Sequence, residues 1–388
     1  MINILEPQNC CGCSACVHIC PKHSISLQED KDGFLYPKVD MGTCIDCGLC
    51  EKVCPMINQE SECLPLATYA AKNDNETIRL RSSSGGIFTL LAESVIDEGG
   101  VVFGARFNED WEVVHDYTDT IEGLEPFRGS KYVQSCMGES YRQIENFLKA
   151  DRKVMFTGTP CQIAGLRRFL RKDYMNLLTV DIVCHGVPSP LVWRKYLETK
   201  TKAQCDAVPL LTGVSFRDKS DGWKKFSLVL KFSTELAGGE QVTTMSSIFN
   251  DNDYMRAFLS NLSLRKSCYN CPAKSGKSGA DITIGDFWGI ENVRPEIDDD
   301  KGLSLVLVNS PKGTASLKTL NCEFVPVGFD EAVKGNSAYY QSVSKPVNRE
   351  FFFYCIRKGY NVQDALAACE STNVFHRVRR IIFRKLGL

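Results

Sequence analysis

The chain has 388 residues, and its 46 lysines and arginines stand against 47 acids, for a net charge of −1. That balance leaves no global basic excess for nucleic acid. A hydrophobic content of 43% is that of a globular protein, long enough for two or three domains at roughly 100–200 residues each. The longest apolar runs fall far short of the roughly 20 residues of a membrane span, and the start, which runs from Met1 through Leu5 and Pro7 into cysteines, gives no sign of a secretory leader.

The cysteines number 19, an odd count in a long chain, so a disulfide scaffold is not expected. The expectation is reduced thiols in a cytoplasm, holding metal. Nine fall in the first 54 residues: Cys10, Cys11, Cys13, Cys16, Cys20, Cys44, Cys47, Cys50 and Cys54. Residues 1–62 also carry nine acids against four lysines, a local charge of −5. Composition changes after Cys63-Leu64-Pro65, which puts a boundary near residue 62.

From residue 66, strand-like and helix-like runs alternate. Ile87–Asp97 has helical spacing and stops at Gly99-Gly100, and Val101–Ala105 reads as a buried strand. Arg142–Lys149 is helical, Lys153–Thr157 a strand, Gln162–Leu170 a helix, Leu178–Val183 a strand and Leu191–Thr199 a helix. Such alternation predicts a largely parallel sheet covered by helices. Val214–Phe216, Phe226–Phe232 and Gln241–Thr244 read as an antiparallel excursion, and Asp281–Gly285 and Leu303–Val308 as further strands. The last 40 residues are predicted helical. Val374, Val378, Ile381, Ile382 and Leu386 line up beside Arg377, Arg379, Arg380, Arg384 and Lys385. That pattern suits a C-terminal helix packed on the core with a solvated basic face, or a peripheral membrane contact.

Two cysteine runs share one spacing. Cys10, Cys13, Cys16 and Cys20-Pro21 follow C-x2-C-x2-C-x3-C-P, and Cys44, Cys47, Cys50 and Cys54-Pro55 repeat it. This is the bacterial two-cluster ferredoxin pattern, in which the fourth cysteine of each run serves the other cluster. Cys10, Cys13, Cys16 and Cys54 are therefore expected to hold one 4Fe–4S cluster, and Cys44, Cys47, Cys50 and Cys20 the second. Zinc ribbons also use C-x2-C pairs, but they need four ligands and no third cysteine at this spacing. Gly12 and Gly48 suit a chain wrapping closely around inorganic sulfide. Cys11 reads as a spare thiol.

Four more cysteines sit in suggestive places. Cys161 follows Gly158-Thr159-Pro160 at the end of a strand, Cys184-His185-Gly186 follows another, and Cys268 and Cys271 form C-x2-C-P. Together these could hold a third cluster. The alternative is structural thiols beside a small zinc or turn motif. Cys63, Cys136, Cys205, Cys322, Cys355 and Cys369 form no pattern.

Clusters carry single electrons, whereas deazaflavins and nicotinamides deliver hydride, and exchange between the two is the chemistry of a flavin. Neither a Rossmann fingerprint nor a P-loop is present. Arg81-Ser82-Ser83-Ser84-Gly85-Gly86 opens the helix at Ile87 and offers hydroxyls and free N–H groups to a phosphate; it would serve equally as a plain N-cap. Arg128–Ser135, with Ser130 and Lys131, is dense in donors. Thr157-Gly158-Thr159 lies at the predicted sheet edge, and Asp286 sits between strand and aromatics, positioned for a ribose, a flavin ring or a turn.

The ordered set Ser82–Gly86, Gly129–Gln134, Gly158–Gln162, Asp181–Pro190, Cys268–Pro272 and Asp281–Gly289 closely resembles the family of coenzyme F420 hydrogenase/dehydrogenase beta subunits over roughly residues 65–320. Residues 1–60 resemble the ferredoxin domain often fused to it. The resemblance implies an α+β or α/β protein in three parts. A small ferredoxin-like domain with two 4Fe–4S clusters spans 1–62, an α/β core binding FAD and iron–sulfur spans 63–330, and a helical extension spans 331–388. It implies a third cluster at Cys161, Cys184, Cys268 and Cys271. FAD contacts are implied at Ser83, Ser84, Gly85, Gly86, Ser130, Lys131 and Thr157, and Gly158, Thr159 and Asp286, read above from the residues, are expected to join them. Lys131 would stabilise the reduced ring, and His185 would relay protons or merely cap a strand. The expected function is a cytoplasmic oxidoreductase passing electrons between clusters and FAD, with hydride exchanged to an organic substrate or cofactor. A redox protein or small electron carrier is the expected partner. The alternative is an electron-transfer subunit whose substrate site lies on a partner chain. The family name does not fix the substrate.

Overall fold

The computed structural model describes residues 1–202, 209–236 and 239–371. The cysteine-rich segment carries one hairpin, β1 (Ile25–Glu29) and β2 (Leu35–Val39). The rest is built on β3 (Ala67–Ala71), β4 (Val101–Phe107), β5 (Val113–Thr118), β6 (Val154–Gly158), β7 (Leu177–Ile182), β8 (Leu210–Asp218), β9 (Ser227–Leu236), β10 (Gly239–Ile248), β11 (Ile282–Asp286), β12 (Ser304–Val308) and β13 (Phe324–Pro326). Eight of these form one sheet in the order β13-β3-β12-β11-β7-β6-β4-β5.

The expected parallel sheet holds for its centre. β4, β6, β7 and β11 run parallel, while the joins outward to β5, β12, β3 and β13 are antiparallel. For β5 the reason is loop length. Asn108 closes a tight turn between β4 and β5, its side chain accepting from the N–H groups of Asp110 and Glu112, and a connection that short cannot make a parallel crossover. β3 escaped the sequence reading because Ala67-Thr68-Tyr69-Ala70-Ala71 has little strand propensity; ladder bonds to β12 and β13 on both sides hold it.

Alternation sorts the central side chains into two layers. Val101, Phe103, Val154 and Phe156 pack on the helices Ser140–Lys149 and Pro160–Leu170. Val102, Met155, Leu178 and Val180 face the helix Ile87–Asp97 on the other side. β8, β9 and β10 make a separate antiparallel sheet, as read from the sequence. Its Phe216, Leu230 and Phe232 pack on Trp193 and Tyr254, and on Phe352, Phe353 and Ile356 of the helix Arg349–Arg357. Residues 331–371 thus contribute to a main apolar core. The basic stripe from Val374 to Leu386 and Cys205 lie outside the described residues. Among the described residues, no helix is long and apolar enough to cross a membrane.

The cysteine-rich segment is seated on the core by apolar contact and by charge. Cys11, Cys13, Ala15 and Val53 join the apolar cluster of helix Pro160–Leu170, and Phe34 joins the other large cluster. Its acids meet basic side chains of the core: Glu29 with Arg194 at 2.5 Å and Glu60 with Arg168 at 2.6 Å. Asp32, enclosed, meets Arg349 at 3.2 Å and Arg357 at 2.6 Å. Removing one member of an enclosed pair leaves the other uncompensated. Asp32→Ala is therefore expected to cost about 3–5 kcal/mol in anaerobic denaturant unfolding, whereas Arg357→Ala, at a side chain 30% exposed, should cost about 1 kcal/mol or less.

Candidate functional site

The four parallel strands end along one edge, where open α/β sheets offer a binding crevice. Their following loops carry Thr159 and Cys161 after β6, Cys184 and His185 after β7, and Trp288 after β11. These loops wall a cavity of about 620 Å³, closed on another side by Ser82–Ser84 and Gly86 and by Arg128–Ser135. Apart from Gly85, every residue expected to touch FAD lines it, as do Lys131, His185, Cys161 and Cys184. Gly85 instead packs against the sheet, where an added Cβ would lie 2.5 Å from the Ala71 carbonyl oxygen.

The helix-start loop is held in shape by its own bonds. Ser84 Oγ donates to the Leu303 carbonyl at 2.7 Å, and the Gly85 N–H donates to Ser304 Oγ at 3.0 Å. Ser83 Oγ accepts from the Ser130 N–H at 2.6 Å, which leaves its own proton for a ligand and ties the two donor loops together. Gly86, at φ +85°, turns the chain into the helix. Arg128 is engaged with Glu125 and with Thr89 Oγ1 at 3.1 Å. Lys131 Nζ donates to the Arg128 carbonyl at 2.8 Å, and burial pushes its ammonium down to about 7, with Glu125 pulling the other way. Thr159 opens the helix Pro160–Leu170, its N–H donating to Gln162 Oε1 at 2.9 Å. Both Asp286 oxygens are already engaged, by Arg217 at 2.8 and 3.2 Å and by Trp223 Nε1 at 3.0 Å. His185 Nε2 donates to Asn261 Oδ1 at 2.7 Å, and burial lowers its pKa.

Sequence reasoning missed His115. Its Nε2 donates to the Thr157 carbonyl at 3.1 Å, so Nδ1 carries a lone pair, and Nδ1 is buried without a partner. Burial holds the ring neutral, with its pKa pushed down to about 4. A signal existed: in β5 the period of two puts His115 on the buried face with Val113. Tyr132, which takes a hydrogen bond from Arg217 at 3.1 Å and stacks on Phe258 at 4.8 Å, gives the cavity an aromatic wall.

The expected cysteine sets lie as follows. Cys10 and Cys54 are among the charges that act on Cys16, and Cys16 and Cys54 among those on Cys13. Cys20, Cys44, Cys47 and Cys50 line one small pocket. Lys274 acts on the charge of Cys184, and so do Cys268, Cys161 and Cys271. Burial raises the pKa of Cys13, Cys16, Cys184 and Cys271 and pushes Cys268 up to about 12. Among the described residues, no three His, Cys, Asp or Glu side chains converge closely enough for a single metal ion. These all-sulfur sets suit soft iron–sulfur chemistry. Cys11, read as spare, is buried with its thiol in hydrogen-bond contact with Cys13 and Cys161, between the first quartet and the cavity. Gly12 meets the core: it sits at φ +76°, and a Cβ would fall 2.2 Å from Gln134 Nε2. Gly48, at φ +72°, has open space around it.

Residues 9–57 match the 4Fe–4S dicluster domain, so the chain is an iron–sulfur protein. Residues 151–323 match the C terminus of the coenzyme F420 hydrogenase/dehydrogenase beta subunit. It is 26% identical over 196 residues to a subunit of the F420H2 dehydrogenase of Methanosarcina mazei, covering 47% of this chain and 54% of that protein. It is also 26% identical over 206 residues to the coenzyme F420-dependent sulfite reductase of Methanocaldococcus jannaschii, covering 50% of this chain and 30% of that protein. The chain thus spans about half or less of these relatives. A chain of the F420-reducing [NiFe] hydrogenase complex from Methanosarcina barkeri superposes with a TM-score of 0.43 at 17% identity, covering 81% of this chain and 94% of that one.

The two glycines of the cysteine runs separate conformation from contact. Gly48→Ala should cost about 1–2 kcal/mol for the left-handed backbone alone. Gly12→Ala adds a clash at the docking surface and should cost clearly more in anaerobic denaturant unfolding. Equal costs would show that the Gly12–Gln134 contact is not needed.

Proposed function

We propose that the chain is an iron–sulfur flavoprotein that passes electrons between an organic hydride carrier and a redox partner. FAD would occupy the cavity, and the cysteine quartets would carry single electrons to or from the acidic segment. One observation carries this reading: Cys161 is both a wall of the cavity and a neighbour of Cys184, Cys268 and Cys271. A ring bound there lies beside a third cluster site, which in turn adjoins the ferredoxin-type quartets through Cys11.

The residues present suit FAD. A diphosphate would sit over the start of the helix Ile87–Asp97, taking the Ser83 hydroxyl, backbone N–H groups and the Lys131 charge. The ring system would lie against Tyr132. Bound there, the flavin supplies the exchange between hydride and single electrons. His115 Nδ1 would accept a hydrogen bond from a ring N–H or a ribityl hydroxyl, because the ring is neutral and its other nitrogen is taken. Lys131 would hold positive charge beside the reduced ring. His185, steadied by Asn261, stands at the wall from which a proton could be handled. A deazaflavin such as coenzyme F420, named in the relatives, is one candidate hydride carrier and a nicotinamide another. A second reading, an electron-transfer subunit of a larger complex, draws on a relative that is itself named a subunit. Turnover of the isolated chain with viologen and each carrier separates the two; activity only after a partner is added supports the second.

Oxygen-free purification should give brown protein with FAD and about twelve irons, three four-iron cubes. Cys161→Ser should lose about four of them and leave the ferredoxin-type signals. Zinc in place of iron, or protein that neither retains nor rebinds FAD, would refute the reading.

Lys131 sets a pH dependence. An anionic ligand binds its protonated form and raises its pKa. Affinity for FAD should therefore be full below pH about 7 and fall by up to tenfold per pH unit above it, until the pKa of the bound state is reached. Fluorescence titration of flavin-free protein from pH 6 to 9 measures this, and Lys131→Gln should flatten the profile at weaker affinity. A flat profile in the parent protein would remove Lys131 from the diphosphate site.

A further inference from the structure

Among the described residues, four arginines are held almost entirely out of water, and three of them face an aspartate. Arg79 meets Asp299, Arg217 meets Asp286 and Arg349 meets Asp32. Arg265, with no exposed surface, is different. Its Nε donates to the Cys10 carbonyl at 2.8 Å. One terminal nitrogen donates to Gln134 Oε1 at 3.0 Å. The other reaches the Leu35 carbonyl at 3.1 Å and Cys10 Sγ at 3.4 Å. The Tyr36 ring lies 4.1 Å beneath the guanidinium. None of these partners is a carboxylate.

A guanidinium does not shed its proton, and an enclosed charge is costly unless an opposite charge compensates it. The remaining negative groups beside Arg265 are sulfur. Cys10, Cys11 and Cys268 all act on its charge, together with Tyr36. Cys10 belongs to the first ferredoxin-type quartet and Cys268 to the quartet beside the cavity, so the cation stands at the junction between the cysteine-rich segment and the core. We propose that Arg265 is the counter-charge of the two clusters at this junction and raises the reduction potential of both. The inference rests on the cluster reading above.

The sign follows from Coulomb's law. Reduction of a cluster adds one electron, and a fixed cation a few ångströms away stabilises that added charge, more strongly where water is excluded. A hydrogen bond to a ligand sulfur acts in the same direction. The cysteines acting on the charge of Arg265 are Cys10, Cys11 and Cys268, none of the Cys20, Cys44, Cys47 and Cys50 quartet, so that cluster should respond less to it. Gly12 belongs to the same device, since a Cβ there would also lie 3.1 Å from Arg265 Cζ.

The test is a redox titration of anaerobic, iron-loaded full-length protein followed by paramagnetic resonance. The remote cluster's signal is identified by its loss in Cys47→Ser. In Arg265→Gln the two junction clusters should move to lower potential by at least tenfold in the oxidised-to-reduced ratio at fixed potential. That is 59 mV for a one-electron couple. The remote cluster should move clearly less. Arg265→Lys, which keeps the charge without the fork, should restore most of the shift. Gln134→Glu leaves Arg265 in place but sets a carboxylate on it, and should shift the same two signals in the same direction. It decides the matter if Arg265→Gln fails to hold iron. Unmoved junction potentials in loaded Arg265→Gln or Gln134→Glu protein, or an equal shift of all three clusters, would overturn the role of Arg265. Parent protein without iron would overturn the cluster reading itself.

Discussion

Burial raises the thiol pKa of Cys16, Cys184 and Cys268, because a bare thiolate held away from water has nothing to stabilise its charge. Sulfur in such places becomes a stable anion only beside compensating positive charge. The rest of the structure follows from this constraint. It explains why the cysteine-rich segment is not a separate bead: Cys11 and Cys13 are sealed by the helix Pro160–Leu170, and Cys13 packs so closely on that helix that only Gly165 fits opposite it.

The same constraint places the charges. The acidic segment settles on arginines of the core, and Asp32 draws Arg349 and Arg357 from the C-terminal region to the hairpin β1–β2. Enclosed ion pairs add little net stability, since desolvation offsets attraction, but they penalise every docking in which one partner is left alone. The ion pairs thereby favour one seating of the two parts. The quartet sulfurs can then meet across the junction.

The cavity owes its place to strand direction. Because β4, β6, β7 and β11 run parallel, their outgoing loops emerge at one edge. That brings Cys161 and Cys184, far apart in the chain, to the same wall. The helix start at Gly86–Ile87 faces the same space and brings an anion-favouring end to it.

Much of this was legible in the residues. The two cysteine runs name their chemistry because ligand spacing around a cube is local, set by a few turns of backbone. The helix Ile87–Asp97 and the central strands were legible because burial on one or both faces writes a period into the chain, and the loops after β6 and β7 announced themselves by glycine and cysteine at strand ends. β3 left no such mark, since its place depends on two neighbours rather than on its own side chains. His115 could have been read from the alternation of β5. Arg265 and Cys11 could not: each matters through groups more than a hundred residues away, and nothing in Leu264-Arg265-Lys266 distinguishes a solvated cation from an enclosed one. The amino-acid order by itself determined the metal-binding chemistry, the alternating elements and the donor-rich loops, all of which depend on near neighbours. Only the tertiary structure decided which sulfurs adjoin, which cation lies between them and which donors face a common cavity, because distance in space between remote segments is set by packing and not by spacing along the chain.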